Sequence, residues 1–158
     1  MAWITPTAET VKRRLSGPEF TSLQNAARSS GQDGATLTTE TITRVVNMIR
    51  GYVGAAKNPP NILGIPGTIP DELESALGSL WLWEFITRLP GQEKLLDDRR
   101  KTLYDNAIAQ LKDVSAGRFA IVPPETPGEE TEQPSGPASQ LISSRDNLGT
   151  RAQTAGLL

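Results

Sequence analysis

Residues 69–91, IPDELESALGSLWLWEFITRLPG, and residues 99–124, RRKTLYDNAIAQLKDVSAGRFAIVPP, decide the fold of this chain. Pro70 opens the first helix where its missing N–H is not needed. Asp71, Glu72 and Glu74 then put negative charge at the positive end of the helix dipole. Leu89–Pro90–Gly91 stops it. The next helix carries Leu96, Leu103, Ala107, Leu111 and Val114 on one stripe, with Tyr104 and Ile108 at its margin and Ala116–Gly117 as terminator. Phe119–Val122 reads as a short extended segment. As a strand it would be alone in the chain, so its backbone partners are expected from a neighbour or from water.

The helix that begins at Pro70 is apolar on both sides. At about 100° per residue, Leu73, Leu77, Leu80 and Trp81 cluster on one face, while Leu82, Phe85, Ile86 and Leu89 cluster nearly opposite. Such a helix has to be covered all round, by another segment of the chain or by a second copy. The pattern makes Leu82, Phe85, Ile86 and Leu89 a candidate subunit interface.

Upstream, the boundaries also fall where helix chemistry wants them. Thr7 caps a short helix with Val11 and Leu15 inward, and Ser16 with Pro18 opens a second carrying Phe20, Leu23 and Ala27. Gly31 and Gly34 end that pair. Thr38 or Thr39 is the expected cap of a third helix, with Ile42, Val45, Val46, Ile49, Val53 and Ala56 on one stripe and Thr41, Thr43, Arg44, Asn47 and Arg50 on the other face. Between Asn58 and Thr68 the run NPPNILGIPGT is too rich in Pro and Gly for a helix or strand interior. It is a loop carrying Ile62, Leu63 and Ile65, which either folds back over the core or reaches a neighbouring subunit or a channel.

A composition change divides the chain into a helical domain, residues 1–122, and a Pro/Gly-rich acidic C-terminal arm, residues 123–158. All eight aromatic residues precede Ala120, and the arm holds five prolines. It has too little apolar surface to offset an ordering cost of about 1–2 kcal/mol per residue of backbone. Leu141, Ile142, Leu157 and Leu158 return near its end as candidate anchors for docking on a partner. To Val122 the chain has fourteen Lys or Arg against thirteen Asp or Glu; beyond it, two against five. The helical part is therefore near neutral and the arm acidic, without the basic excess that phosphate neutralisation demands of a strong free DNA binder.

With no histidine and no cysteine, thiol nucleophiles, disulfides, Cys/His zinc sites and imidazole acid–base pairs are excluded. Carboxylate pairs at Asp71/Glu72, Asp97/Asp98 and Glu129/Glu130 are adjacent residues, which on a helix diverge by about 100° instead of converging on one atom. LGIPGTIP lacks the glycine spacing and the Lys-Ser/Thr end of a phosphate loop. Lys12, Arg13 and Arg14 form the basic triplet of the first helix, a candidate channel or assembly surface. The expectation is a protein that is not an enzyme and needs no cofactor. No apolar run approaches the roughly 20 residues of a membrane span, and MAWITPTAET has no signal-peptide pattern, which points to a soluble product of the cytoplasm.

The order of these elements, with the IP-x-EL helix start, the RLP stop, RR-x-x-x-Y and the AGRF exit, resembles the head–tail connector (adaptor, or head-completion) proteins of tailed bacteriophages, Mu-like and related. The resemblance covers residues 3 to 124. It implies an all-α subunit, a small bundle of about five helices with a short extended segment and a long C-terminal arm, made in the host cytoplasm and built into the virion neck. It also implies a homo-oligomeric ring of twelve copies between the portal protein and a downstream neck or tail protein. Such a ring extends the DNA channel, touches DNA only non-specifically and offers a docking surface for the tail. The alternative reading is a small helical DNA-binding packaging or regulatory factor.

Overall fold

Five helices and one two-residue strand pair make up the computed structural model, which describes residues 3–57 and 61–125. In chain order these are β1 (Trp3–Ile4), α1 (Ala8–Lys12), α2 (Gly17–Ser29), α3 (Gly34–Gly54), β2 (Ile69–Pro70), α4 (Glu74–Thr87) and α5 (Asp98–Ser115), with single 3-10 turns at Asp71–Leu73 and Glu93–Leu95. The bundle is all-helical apart from β1 and β2, which pair antiparallel with Trp3 opposite Pro70 and Ile4 opposite Ile69. The expected arm residues Leu141, Ile142, Leu157 and Leu158 lie outside the described residues.

Local chemistry sets the helix starts. The Ser16 hydroxyl accepts from the Glu19 N–H at 3.3 Å and opens α2. Asp33, not Thr38 or Thr39, caps α3: its carboxylate accepts from the Thr36 N–H at 2.9 Å and the Thr36 hydroxyl at 2.7 Å, so the helix begins a turn earlier than expected. Gly34 then belongs to α3, not to the break before it. A methyl group there would sit 3.1 Å from the Gln24 backbone, so the glycine lets α2 and α3 cross closely. Asp97 caps α5 through the Arg100 N–H at 2.8 Å, which leaves Leu96 before the helix instead of within it. Gly117, at φ 72°, ends α5 as its sequence signals.

Two threonines of α3 lie inside. Thr38 and Thr41 are buried, and each hydroxyl donates to the carbonyl four residues earlier, Gly34 and Leu37, at 2.7 Å. Thr41 therefore faces the core, against the expectation of a polar outer face. The self-contained hydrogen bond makes its burial tolerable.

Around α4 the core closes completely. Leu77, Leu80, Trp81, Phe85 and Ile86 are each at most 1% exposed. Trp81 lies 4.8 Å from Phe85 and 6.1 Å from Phe20, ring centre to ring centre, and its indole N–H points at the Thr38 carbonyl at 3.4 Å. The helix packs against α1, α3 and α5 at once. This corrects the interface assignment: Phe85, Ile86 and Leu89 are buried in the subunit's own core, covered by its own helices instead of by a second copy. Of the four, only Leu82 keeps a partly accessible side chain.

The 119–122 segment is not a strand among the described residues. Its Val122 N–H donates to Glu72 Oε1 at 3.3 Å, and the Val122 carbonyl accepts from the Trp3 indole N–H at 3.0 Å. The partners of Val122 are thus supplied from within, by Trp3 and by Glu72 of the 3-10 turn, while Phe119 and Ile121 pack on the core.

Candidate functional site

Two surfaces of the bundle present apolar side chains on a fixed frame. The first is the loop after α3. Arg50, expected on the outer face of α3, turns its guanidinium under this loop and donates to the Thr68 carbonyl at 2.7 Å and to those of Ile65 and Gly64 at 3.0 Å. It lies 5.9 Å from the centre of the Trp3 ring. Gly64 is the one residue that fits beneath that ring, since a methyl group there would come within 2.7 Å of it. The Thr68 hydroxyl closes the turn on the Ile65 carbonyl at 2.6 Å. Burial pushes the Arg50 guanidinium below its ordinary pKa, yet an arginine remains charged at every physiological pH.

This clamp holds Ile62 and Ile65 outward, 49% and 54% exposed. Ordering a loop around three carbonyls only to leave two isoleucines in water gives no folding benefit from those side chains. They are therefore the residues of the loop available to a partner.

The second surface is a groove between α4 and α5. Ser75, Ser79 and Leu82 of α4 face Leu103 of α5, and Trp83 stacks on Tyr104 at 5.2 Å. Burial, with Glu84 close by, raises the Tyr104 phenol above its ordinary value. Leu103 was expected on the inward stripe of α5 but is 46% exposed. The small serines opposite leave it uncovered.

The basic triplet does not form one patch. Lys12 pairs with Glu9 at 3.3 Å. Arg13 caps the end of α1 in the open. Arg14 lays its aliphatic stem over Gly78 and borders the groove. Arg100 flanks the same groove, but its charge is taken by Glu19 and by the Leu95 carbonyl. The sequence reading missed Arg50, Trp3 and Glu72 as the residues that fix the loop and the chain's exit. The available signal was an arginine near the end of α3 followed by a Pro/Gly loop whose carbonyls no regular element would satisfy.

No group of three or more acidic residues suited to a metal ion occurs among the described residues, and no described helix is long and apolar enough to cross a membrane. A sequence profile described as Bacteriophage Mu, Gp36 matches residues 6–140. No curated protein and no solved structure gives a significant match. The profile spans all five helices and the first part of the proline-rich segment, and on that extent the chain belongs to the bacteriophage Mu Gp36 family.

Proposed function

We propose that the chain is a structural protein of the phage neck, assembling as a ring between the portal and the next neck or tail component, where it extends the DNA channel and gives the tail a docking surface. Family membership carries the phage assignment. The observation that carries the structural role is the clamped loop, in which Arg50 donates three hydrogen bonds to loop carbonyls while Ile62 and Ile65 stay exposed. A rigid apolar tip of this kind fits assembly by contact better than turnover of a substrate, because it lowers the ordering cost of association.

Ring contacts cannot use Phe85, Ile86 or Leu89, so they fall to the loop tip and to the exposed α4/α5 surface at Leu82 and Leu103. Near-neutral charge over the helical part fits a wall that DNA passes without being gripped.

The experiment mixes the purified chain with the portal of the same phage and follows co-sedimentation and particle shape. Binding that is lost in the double variant Ile62→Ser, Ile65→Ser, with its helical circular dichroism intact, supports the proposal. Undiminished binding by that variant removes the loop from the interface. Failure to bind the portal together with salt-sensitive duplex DNA binding favours the packaging or regulatory factor.

A further inference from the structure

One indole joins the loop tip to the segment that follows α5. The benzo edge of the Trp3 ring lies over Gly64, where an added methyl group would meet it at 2.7 Å. The Arg50 guanidinium that holds the loop carbonyls stands 5.9 Å from the ring centre. The indole N–H donates to the Val122 carbonyl at 3.0 Å. Pairing of β1 with β2 sets the ring in this place, with Trp3 opposite Pro70 and Glu72 two residues further on. Residues 119–122 form a strap with few fastenings. Among the described residues its hydrogen bonds are the Phe119 N–H to the Asp113 carbonyl at 3.2 Å and the two at Val122. The Glu72 end is the weaker of these two, since Oε1 accepts at 3.3 Å while Oε2 is buried without a hydrogen-bond partner among the described residues. A segment held by so few bonds opens locally at a small part of the free energy of global unfolding.

We propose that Trp3 couples the strap to the loop tip, so that the two switch together. With Val122 latched, the indole is pinned over Gly64 and the tip carrying Ile62 and Ile65 is rigid. With the strap released, the indole loses its N–H anchor, the ring leaves Gly64 and the loop loosens. The two states differ in named contacts at both sites, which is what a coupling between sites requires. Linkage makes the effect reciprocal: a partner that binds the rigid tip also favours the latched strap, and a pull on the chain beyond Val122 weakens the tip. That consequence for a partner rests on the tip's being a contact surface, as proposed above. The coupling inside the subunit does not.

The test reads both directions in the full chain without a portal, by amide exchange and by the indole signals of isotope-labelled protein. Val122→Pro removes the N–H given to Glu72, in a segment remote in sequence from the loop. The Thr68 amide, bonded to the Ile65 carbonyl at 3.1 Å, is then expected to exchange about fivefold faster or more, the lower end of coupling between sites, while amides inside α3 keep parent rates. In the background Trp3→Phe, which has a ring but no N–H, Val122→Pro is expected to add nothing at Thr68. In the other direction, Gly64→Ala displaces the ring, and the Trp3 indole N–H signal is expected at the position of a free indole, with Val122 shifted towards unstructured values. Parent-like exchange at Thr68 in Val122→Pro overturns the proposal, and does so alone where Gly64→Ala fails to fold. A folded Gly64→Ala protein whose Trp3 indole signal stays in place while Thr68 exchanges faster also overturns it. Neither reading involves the portal, so a coupled subunit that fails to bind a portal counts against the neck role and not against the coupling.

Discussion

Replacing Phe85 with alanine separates a core position from an interface position. The side chain has 0% of its surface exposed and rests against the Trp81 ring at 4.8 Å. Phe→Ala at a buried site costs about 3–5 kcal/mol through lost transfer energy and the cavity left behind. The aromatic contact adds about 0.5–1.5 kcal/mol, part of which the truncation series already includes. Against a total stability of about 5–15 kcal/mol for a domain of this kind, the variant is left with a minor fraction of the original margin. Phe85→Glu exceeds that margin, since it adds an unpaired buried charge. The assay is urea unfolding of the dilute subunit, followed by tryptophan fluorescence, because Trp81 reports its loss of contact with Phe85. A midpoint for Phe85→Ala within the error of the parent, with ring assembly lost, would refute the closed core around α4.

Three further outcomes follow from the same contacts. Arg50→Met removes the donors that hold three carbonyls and is expected to cost about 2–3 kcal/mol, at about 1 kcal/mol net per hydrogen bond, with faster amide exchange confined to residues 61–68; a parent-like exchange pattern counts against the clamp. Gly64→Ala drives a methyl group into the Trp3 ring at 2.7 Å and should lower the melting temperature more than Gly51→Ala, whose methyl meets nothing within 4 Å; equal shifts deny the close approach. The Asp33 carboxyl is held below its ordinary pKa, first by the Thr36 hydroxyl and then by the Thr36 N–H, so its contribution is present above the unfolded value near 3.9 and is lost as pH falls through the lowered folded value. The melting-temperature gap between parent and Asp33→Ala should accordingly be full at neutral pH and shrink below about pH 4; a gap that widens on acidification contradicts this.

Much of the bundle is legible from local signals. Ser16 and Pro18 announce α2, the Phe20/Leu23/Ala27 stripe is buried as its spacing requires, and Gly117 ends α5 in the left-handed conformation. These features depend on residues within a turn or two of one another. What the sequence withholds is long-range. The two apolar faces of α4 declare that both are covered, but not whether a second copy or α3 and α5 cover them. Phe85 and a true interface phenylalanine look alike in one dimension. Arg50 reads as solvated helix surface because its acceptors lie 14–18 residues away in a loop with no periodicity. Leu103 sits on the right stripe and is still exposed, since burial depends on Ser75 and Ser79 across the groove, which no pattern within α5 can reveal. Competition between nearby caps misled the start of α3: Asp33, five residues ahead of Thr38, offers the stronger acceptor.

The proposed role requires the subunit to build a ring on the portal. Electron microscopy of the purified chain with its portal tests this most directly. A ring of the chain's own copies is expected, coaxial with the portal channel, with Ile62 and Ile65 in contacts between molecules and Phe85 enclosed within each subunit. A chain that remains monomeric in the presence of the portal, with no added density at the channel mouth, would contradict it.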